Sequence, residues 1–238
     1  MDREVTAYFD RTVPIYNVKR LERTVEIINL YRAGSRSLLE IGCGTGSALE
    51  FIKSRTGMDE LCGIDVSARS LDEAKKRVGC ETVSASILDK DLHKKIDKRY
   101  DFVLISSVLH HLVGKTRSES RKNALFAVSN ALRLVNKGGF LIVGETTFKT
   151  EAAMTALFYV KRLTTKISSK RIHLGGSEYN IGAPVVSFYS NDQVLEMIRS
   201  AGETEIVDTH ISNIRPRLFW QLFFITERAD ATFTAKRL

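Results

Sequence analysis

Ser37-Leu38-Leu39-Glu40-Ile41-Gly42-Cys43-Gly44-Thr45-Gly46 decides the fold of this chain. The run 37–41 is apolar apart from Ser37 and Glu40 and reads as a buried strand. Glycine then stands at every second position, and a helix from Ser47 to Lys53 follows at once. Glycines let the backbone take turns that a Cβ forbids and let a ligand approach closely. The helix start behind them offers unpaired N–H groups. A dinucleotide fingerprint needs Gly-x-Gly-x-x-Gly; here the third glycine comes one residue early, and Ser47 stands where that pattern wants glycine.

Three further stretches extend the pattern. Leu61-Cys62-Gly63-Ile64-Asp65 reads as the next strand, ending in a carboxylate about 20 residues beyond the loop, the place for a group that holds ribose hydroxyls. Tyr100-Asp101-Phe102-Val103-Leu104-Ile105-Ser106 is another apolar strand, and Ser107-Val108-Leu109-His110-His111-Leu112 follows it. Leu132 to Glu145 carries Lys137-Gly138-Gly139 ahead of Phe140-Leu141-Ile142-Val143. Glu40 with its glycines, Asp65 and these two segments, in this order over roughly 37–145, resemble the motifs of the class I S-adenosylmethionine-dependent methyltransferases. The resemblance implies an α/β fold. Its sheet is doubly wound, seven-stranded, mostly parallel and Rossmann-like, with the last strand antiparallel.

Composition agrees with one α/β domain. The chain has 238 residues, 43% of them hydrophobic. Asp2, Arg3 and Glu4 do not open a signal peptide, and no apolar run approaches the ~20 residues that span a bilayer. Cys43, Cys62 and Cys80 show no metal-ligand spacing, so neither disulfide nor metal is expected, and the location expected is cytoplasmic. The net charge of +8 favours anionic partners: phosphate groups, acidic lipid or nucleic acid. A solvated basic surface is the plainer reading of the same charge.

Strand and helix alternate as in a parallel sheet covered on both faces. Strands are expected at 37–41, 61–64, 82–87, 100–105 and 139–144, with helices at about 18–32, 46–55, 68–78 and 118–135. Ser67 and Ser118 are plausible N-caps. A helix at 190–201, capped by Ser190 or Asn191 and ended by Gly202, precedes two β-rich runs, 204–210 and 217–226. Residues 1–33 form an N-terminal helical segment whose Tyr8, Phe9 and Tyr16 resemble a lid over the cofactor, or else pack a helix onto the domain. Residues 34–238 form the methyltransferase domain. Within it, 146–189 is an insertion after the fifth strand. It holds an apolar helix from Ala152 to Ile167 and a basic cluster (Lys161, Arg162, Lys166, Lys170, Arg171); the family resemblance implies a substrate cap at this point, with a membrane-surface contact of the basic helix or a dimer contact as alternatives.

The family resemblance assigns the site. Gly42, Cys43, Gly44 and Gly46 approach the methionine and ribose part of S-adenosyl-L-methionine, and Glu40 fixes the loop and the ammonium. Asp65 takes the ribose hydroxyls; Val66 and Ile87 cover the two adenine faces; Ser106 receives the methionine end, and Tyr16 belongs to the lid. Ser86 stands where the family places an acidic adenine contact, with Asp89 or the Ile87 backbone as substitutes. His111, His110 and Glu145 are the candidate bases, the histidines because imidazole accepts protons near neutral pH, and His111 first because the second His matches the commoner pattern of the family resembled. Each also has a plain reading as a loop-orienting group. His173, Tyr179 and Tyr189 are candidates for the acceptor pocket, although no spacing singles them out.

No Asn/Asp-Pro-Pro-Tyr/Phe and no Pro-Cys follows the fourth strand, and no nucleic-acid module is recognisable. The expected acceptor is therefore a small organic or lipid-like molecule, anionic or apolar in part, methylated on oxygen first, with nitrogen and carbon open. RNA is the less favoured acceptor. A non-catalytic cofactor-binding subunit is the other alternative.

Overall fold

In the computed structural model of the protein, the described residues are 18–167, 184–216, 221, 225 and 227–238. The elements in chain order are α1 (Val18–Tyr31), β1 (Ser37–Ile41), α2 (Ser47–Thr56), β2 (Glu60–Asp65), α3 (Ala68–Val78), β3 (Glu81–Ser84), α4 (Leu92–Lys95), β4 (Tyr100–Ser106), a 3₁₀ turn (Leu109–His111), α5 (Arg117–Arg133), β5 (Val135–Phe148), α6 (Glu151–Ile167), α7 (Asn191–Ala201), β6 (Thr204–Ile214) and β7 (Arg228–Arg237).

The seven strands make one sheet in the order β3-β2-β1-β4-β5-β7-β6. β3, β2, β1, β4 and β5 pair in parallel. β7 runs antiparallel between β5 and β6. All five residues of β1 are buried, as expected of a central parallel strand. Its side chains alternate: Leu39 and Ile41 join one core with Ala127 and Val128 of α5, while Leu38 joins the other with Ile27 of α1 and Leu49 and Ile52 of α2. Each such fully buried Leu or Ile contributes about 1.5–3 kcal/mol.

α1 shows how sequence becomes packing. Leu21, Val25 and Ile28 recur at helical spacing and are buried with Ile27, and the guanidinium of Arg23 pairs with Asp208 on β6. The described part of the 1–33 segment is thus a helix packed on the sheet; Tyr8, Phe9 and Tyr16, the lid candidates, lie outside the described residues.

Several local expectations need correction. The α5 cap is Thr116, not Ser118: its hydroxyl accepts from the Glu119 N–H at 3.1 Å, and Glu119 in turn accepts from Lys115 N–H at 2.5 Å. The Thr-x-x-Glu pattern two residues upstream carries the capping chemistry. β3 stops at Ser84, so Ser86 and Ile87 stand in the loop beyond it. The seventh strand is Arg228–Arg237, not 217–226, of which only Gln221 and Ile225 are described. β5 extends to Phe148, three residues into the segment read as an insertion. Ser67 and Ser190 do cap their helices; Ser190 and Gln193 form a reciprocal capping box.

The loops leaving β1 and β4 lead to opposite faces of the sheet, into α2 and α5 respectively. Neighbouring parallel strands whose connections diverge in this way leave a crevice at their carboxyl ends, the general ligand position in open α/β sheets.

Candidate active site

The crevice encloses about 960 Å³ out to its open mouth and is lined mostly by apolar atoms. Its floor is the glycine loop. Gly42 and Cys43 donate their N–H groups to the Ile64 carbonyl at 2.7 and 3.0 Å. Gly44 N–H donates to Asp65 Oδ2, and Ser67 N–H to Asp65 Oδ1, both at 2.9 Å. One carboxylate therefore ties the loop after β1 to the start of α3. Two carboxylate oxygens offer about four acceptor positions, so two remain for hydroxyls entering from the cleft.

Gly42 has φ 72°, and a Cβ there would lie 2.5 Å from Val108 Cγ2. The loops after β1 and β4 touch at this point, and only glycine satisfies both the left-handed backbone and the contact. Gly46, at φ 78°, is the residue preceding α2, where a Cβ would lie 3.0 Å from Ala74 and Val78 of α3. Its place is helix packing rather than the cleft lining. Cys43 is fully buried against Gly63 and also stands outside the lining.

Glu40 lies beneath the loop, 1% exposed. Burial first, then the charge of Asp65, pushes its carboxyl well above the usual range, partly offset by a bond from the Leu49 backbone. Its Oε2 is buried with no hydrogen-bond partner among the described residues. Such an oxygen is costly to bury unless a donor meets it.

Val66 and Ile87 face the cleft beyond Asp65, as does Ser86. The Ser86 hydroxyl accepts from Leu88 N–H at 3.2 Å. Asp89 does not reach back: its carboxylate takes Lys95 Nζ at 2.6 Å and Asp91 N–H at 3.0 Å.

The opposite wall follows β4. Ser106 and Ser107 both line the cleft. Ser107 has φ 58°, a left-handed conformation in a non-glycine residue, held by its N–H to the Gly144 carbonyl at 2.8 Å. Strained backbone of this kind concentrates at functional sites. The 3₁₀ turn comes next. Buried Glu145, on β5, accepts Leu109 N–H with Oε1 and His110 Nδ1 with Oε2, each at 2.7 Å. His110 stacks on Phe188 with ring centroids 5.1 Å apart, and His111 lies 4.0 Å from it. Ser187 N–H reaches the His110 carbonyl at 2.8 Å, and Arg162 of α6 reaches the Gly114 carbonyl at 2.7 Å. β5, α6 and the 184–189 segment thus all clamp one turn.

His111 presents a partly exposed face to the cleft, while its Nδ1 is buried. Burial, then the His110 ring, then the Lys161 ammonium all lower its pKa well below the ordinary value, so the ring is neutral at pH 7. Lys161 itself is only 1% exposed.

The structure brings Gly42, Gly44, Asp65, Val66, Ser86, Ile87, Ser106 and His111 to one cleft, with His110 and Glu145 immediately behind His111. Tyr189 is instead buried in the core. It forms a bridge with Thr147, and its hydroxyl lies 3.2 Å from that of Ser187; burial pushes its phenol up to about 12. Tyr16, His173 and Tyr179 lie outside the described residues. Sequence reasoning overlooked Thr45, Ser70, Ser107, Val108 and Leu112, which also line the cleft. Thr45 sat inside the glycine motif and Leu112 beside the histidines; Ser107 gave no signal. Among the described residues no group of three or more His, Cys, Asp or Glu gathers as for a metal, and no helix is long and apolar enough to cross a membrane.

The donor set fits S-adenosylmethionine on three observations: the glycine floor, the spare acceptor positions of Asp65, and the orphaned Glu40 oxygen. A family model described as a methyltransferase domain matches residues 39–141. The carboxy-S-adenosyl-L-methionine synthase of Nautilia profundicola is 26% identical over 224 residues, 86% of each chain. Two solved structures share the fold. An S-adenosylmethionine-dependent methyltransferase from Clostridium acetobutylicum superposes with a TM-score of 0.61 at 13% identity, covering 98% of this chain and 97% of that one. An N-methyltransferase from Bradyrhizobium japonicum in complex with S-adenosyl-L-homocysteine gives 0.59 at 14% identity, covering 98% of both. The glycine loop, its Asp65 clamp and the seven-stranded order agree with these matches: the chain has the fold of these S-adenosylmethionine-dependent methyltransferases, and its residues 39–141 match a methyltransferase domain.

Proposed function

We propose that the protein methylates a small organic or lipid-like acceptor with an anionic portion, oxygen first. Bound S-adenosylmethionine supplies the electrophilic methyl group. Asp65 holds the ribose, Val66 and Ile87 cover the adenine, Glu40 faces the ammonium, and Ser106 receives the methionine end. His111, neutral and facing the cleft, accepts the acceptor's proton. His110 and Glu145 are positioning residues that fix the turn carrying it. Most of the acceleration then comes from holding acceptor and methyl group in line.

The observation that carries this reading is the clamped turn: Glu145, Arg162 and Ser187 converge on 109–114 and place His111 on the wall shared with Ser106. α6 closes in on the same turn, with Phe158 and Lys161 buried, which suits a small acceptor with a negative charge. The part of the 146–189 segment beyond β5 is then the substrate cap.

The test is incubation of purified protein with methyl-labelled S-adenosylmethionine and a cell extract, followed by separation of small molecules, RNA and protein. Label in a small-molecule product other than the cofactor is expected. Label confined to RNA or protein would overturn the reading.

A second reading rests on the relative that aligns over 86% of both chains: the chain modifies the cofactor itself, as that relative's name describes. Mass spectrometry of the nucleoside fraction separates the two. A carboxylated S-adenosylmethionine supports the second reading; its absence alongside a new methylated product supports the first.

A further inference from the structure

α6 is apolar on the side it turns to solvent. Met154, Phe158 and Lys161 recur at helical spacing and are buried, Met154 in one cluster with Phe148, Phe188 and Ile225. The opposite side carries Ala152, Ala156, Tyr159, Val160 and Leu163, all exposed and gathered within about 100° of arc. Tyr159 and Val160 keep 47% of their surface in water, and Leu163 keeps 59%. Single exposed apolar side chains are ordinary, but a contiguous stripe marks a docking surface. Of the seven large apolar side chains exposed among the described residues, three fall within five positions of this helix.

Charge names what the stripe meets. From Ala152 to Ser177 the sequence has five lysines and arginines (Lys161, Arg162, Lys166, Lys170 and Arg171) and no aspartate or glutamate. Arg162 lies half-buried on the flank of the stripe and donates to the Gly114 carbonyl at 2.7 Å, and exposed Lys115 follows in that turn. A second copy of the same face brings like charges together, which disfavours self-pairing. A nucleic acid offers the anions but no apolar layer for Tyr159, Val160 and Leu163. A bilayer of acidic phospholipid offers both, phosphate at its surface and acyl chain just beneath.

We propose that the outer face of α6 docks on an anionic phospholipid bilayer, with Tyr159, Val160 and Leu163 at the headgroup–acyl boundary and the basic residues on the phosphates. The inner face of the helix stays on the turn that carries His111, so docking and the cleft use opposite sides of one element. The docking does not depend on what the cleft binds.

The test is flotation of the full chain at low and high salt. One set of vesicles is phosphatidylcholine alone; the other is equal parts phosphatidylcholine and phosphatidylglycerol. Wild type is expected to float with the mixed vesicles, more weakly with phosphatidylcholine alone, and less at high salt. Val160→Gln combined with Leu163→Gln keeps every charge and is expected to weaken binding to mixed vesicles by about tenfold or more.

A folded double variant that floats as wild type does would assign the binding to net charge alone and overturn the proposal. Wild type that binds neither vesicle overturns it too. Light scattering then assigns the face: a wild-type dimer that the double variant splits means that a second copy covers it. Where the double variant loses its cooperative melt, Tyr159→Trp takes its place. A blue shift of emission on adding mixed vesicles, beyond that of wild type with its one tryptophan, Trp220, supports the docking face, and no added shift overturns it.

Discussion

Asp65→Ala is expected to lower affinity for S-adenosyl-L-homocysteine by about 10²–10⁴-fold. Hydrogen bonds to a carboxylate contribute about 1.5–3 kcal/mol each, and two bonds to ribose hydroxyls are lost. The same change releases Gly44 N–H and Ser67 N–H, both held at 2.9 Å, so the loop loses its anchor to α3. Asp65→Asn keeps one acceptor oxygen and falls between the two. Calorimetric titration reads this directly. Affinity within about threefold of wild type in a folded Asp65→Ala protein would remove the ribose role, since neither lost bond would then be felt.

Glu145→Ala produces the second large effect, on turnover rather than on cofactor binding. Glu145 is 2% exposed, and its two oxygens hold Leu109 N–H and His110 Nδ1. Without them the 3₁₀ turn carries two buried groups lacking a partner and moves. A displacement of about 1 Å costs about 10²-fold in rate. The expected result, with the acceptor found by labelling, is a kcat lower by about 10²-fold and a cofactor Kd within about threefold of wild type. Glu145→Gln restores an acceptor for Leu109 N–H and recovers part of the loss. Unchanged kcat, or cofactor affinity falling in step with kcat, would contradict the positioning role.

The parts of the fold legible in the sequence were those set by local chemistry. β1 with its glycine loop, β2 ending in Asp65, and β4 leading to the histidines all stand where apolar runs and turn residues put them. β7 was misplaced for a physical reason. It is paired on both edges, and most of its buried positions are small or hydroxylated (Ala229, Ala231, Thr232, Thr234 and Ala235), with Phe233 its one large apolar side chain. Hydrophobicity alone points to the richer run at 217–226.

The site divides along the same line. Glycine spacing identifies the cleft floor, yet whether a given glycine faces the cleft or a helix is a tertiary matter; Gly42 lines the cleft and Gly46 packs on α3. Ser107 takes its left-handed φ because the Gly144 carbonyl and the clamped turn hold it there, and no local residue signals that. The pairing of Glu145 with His110 rather than His111 depends on the register of β4 and β5, where Ser106 lies opposite Gly144.

The most direct measurement is a crystal structure with S-adenosyl-L-homocysteine bound. The account predicts the adenine between Val66 and Ile87, both ribose hydroxyls on Asp65, and the sulfur toward Ser106 and His111. A ligand elsewhere on the protein, or one whose sulfur points away from the turn held by Glu145, would contradict it.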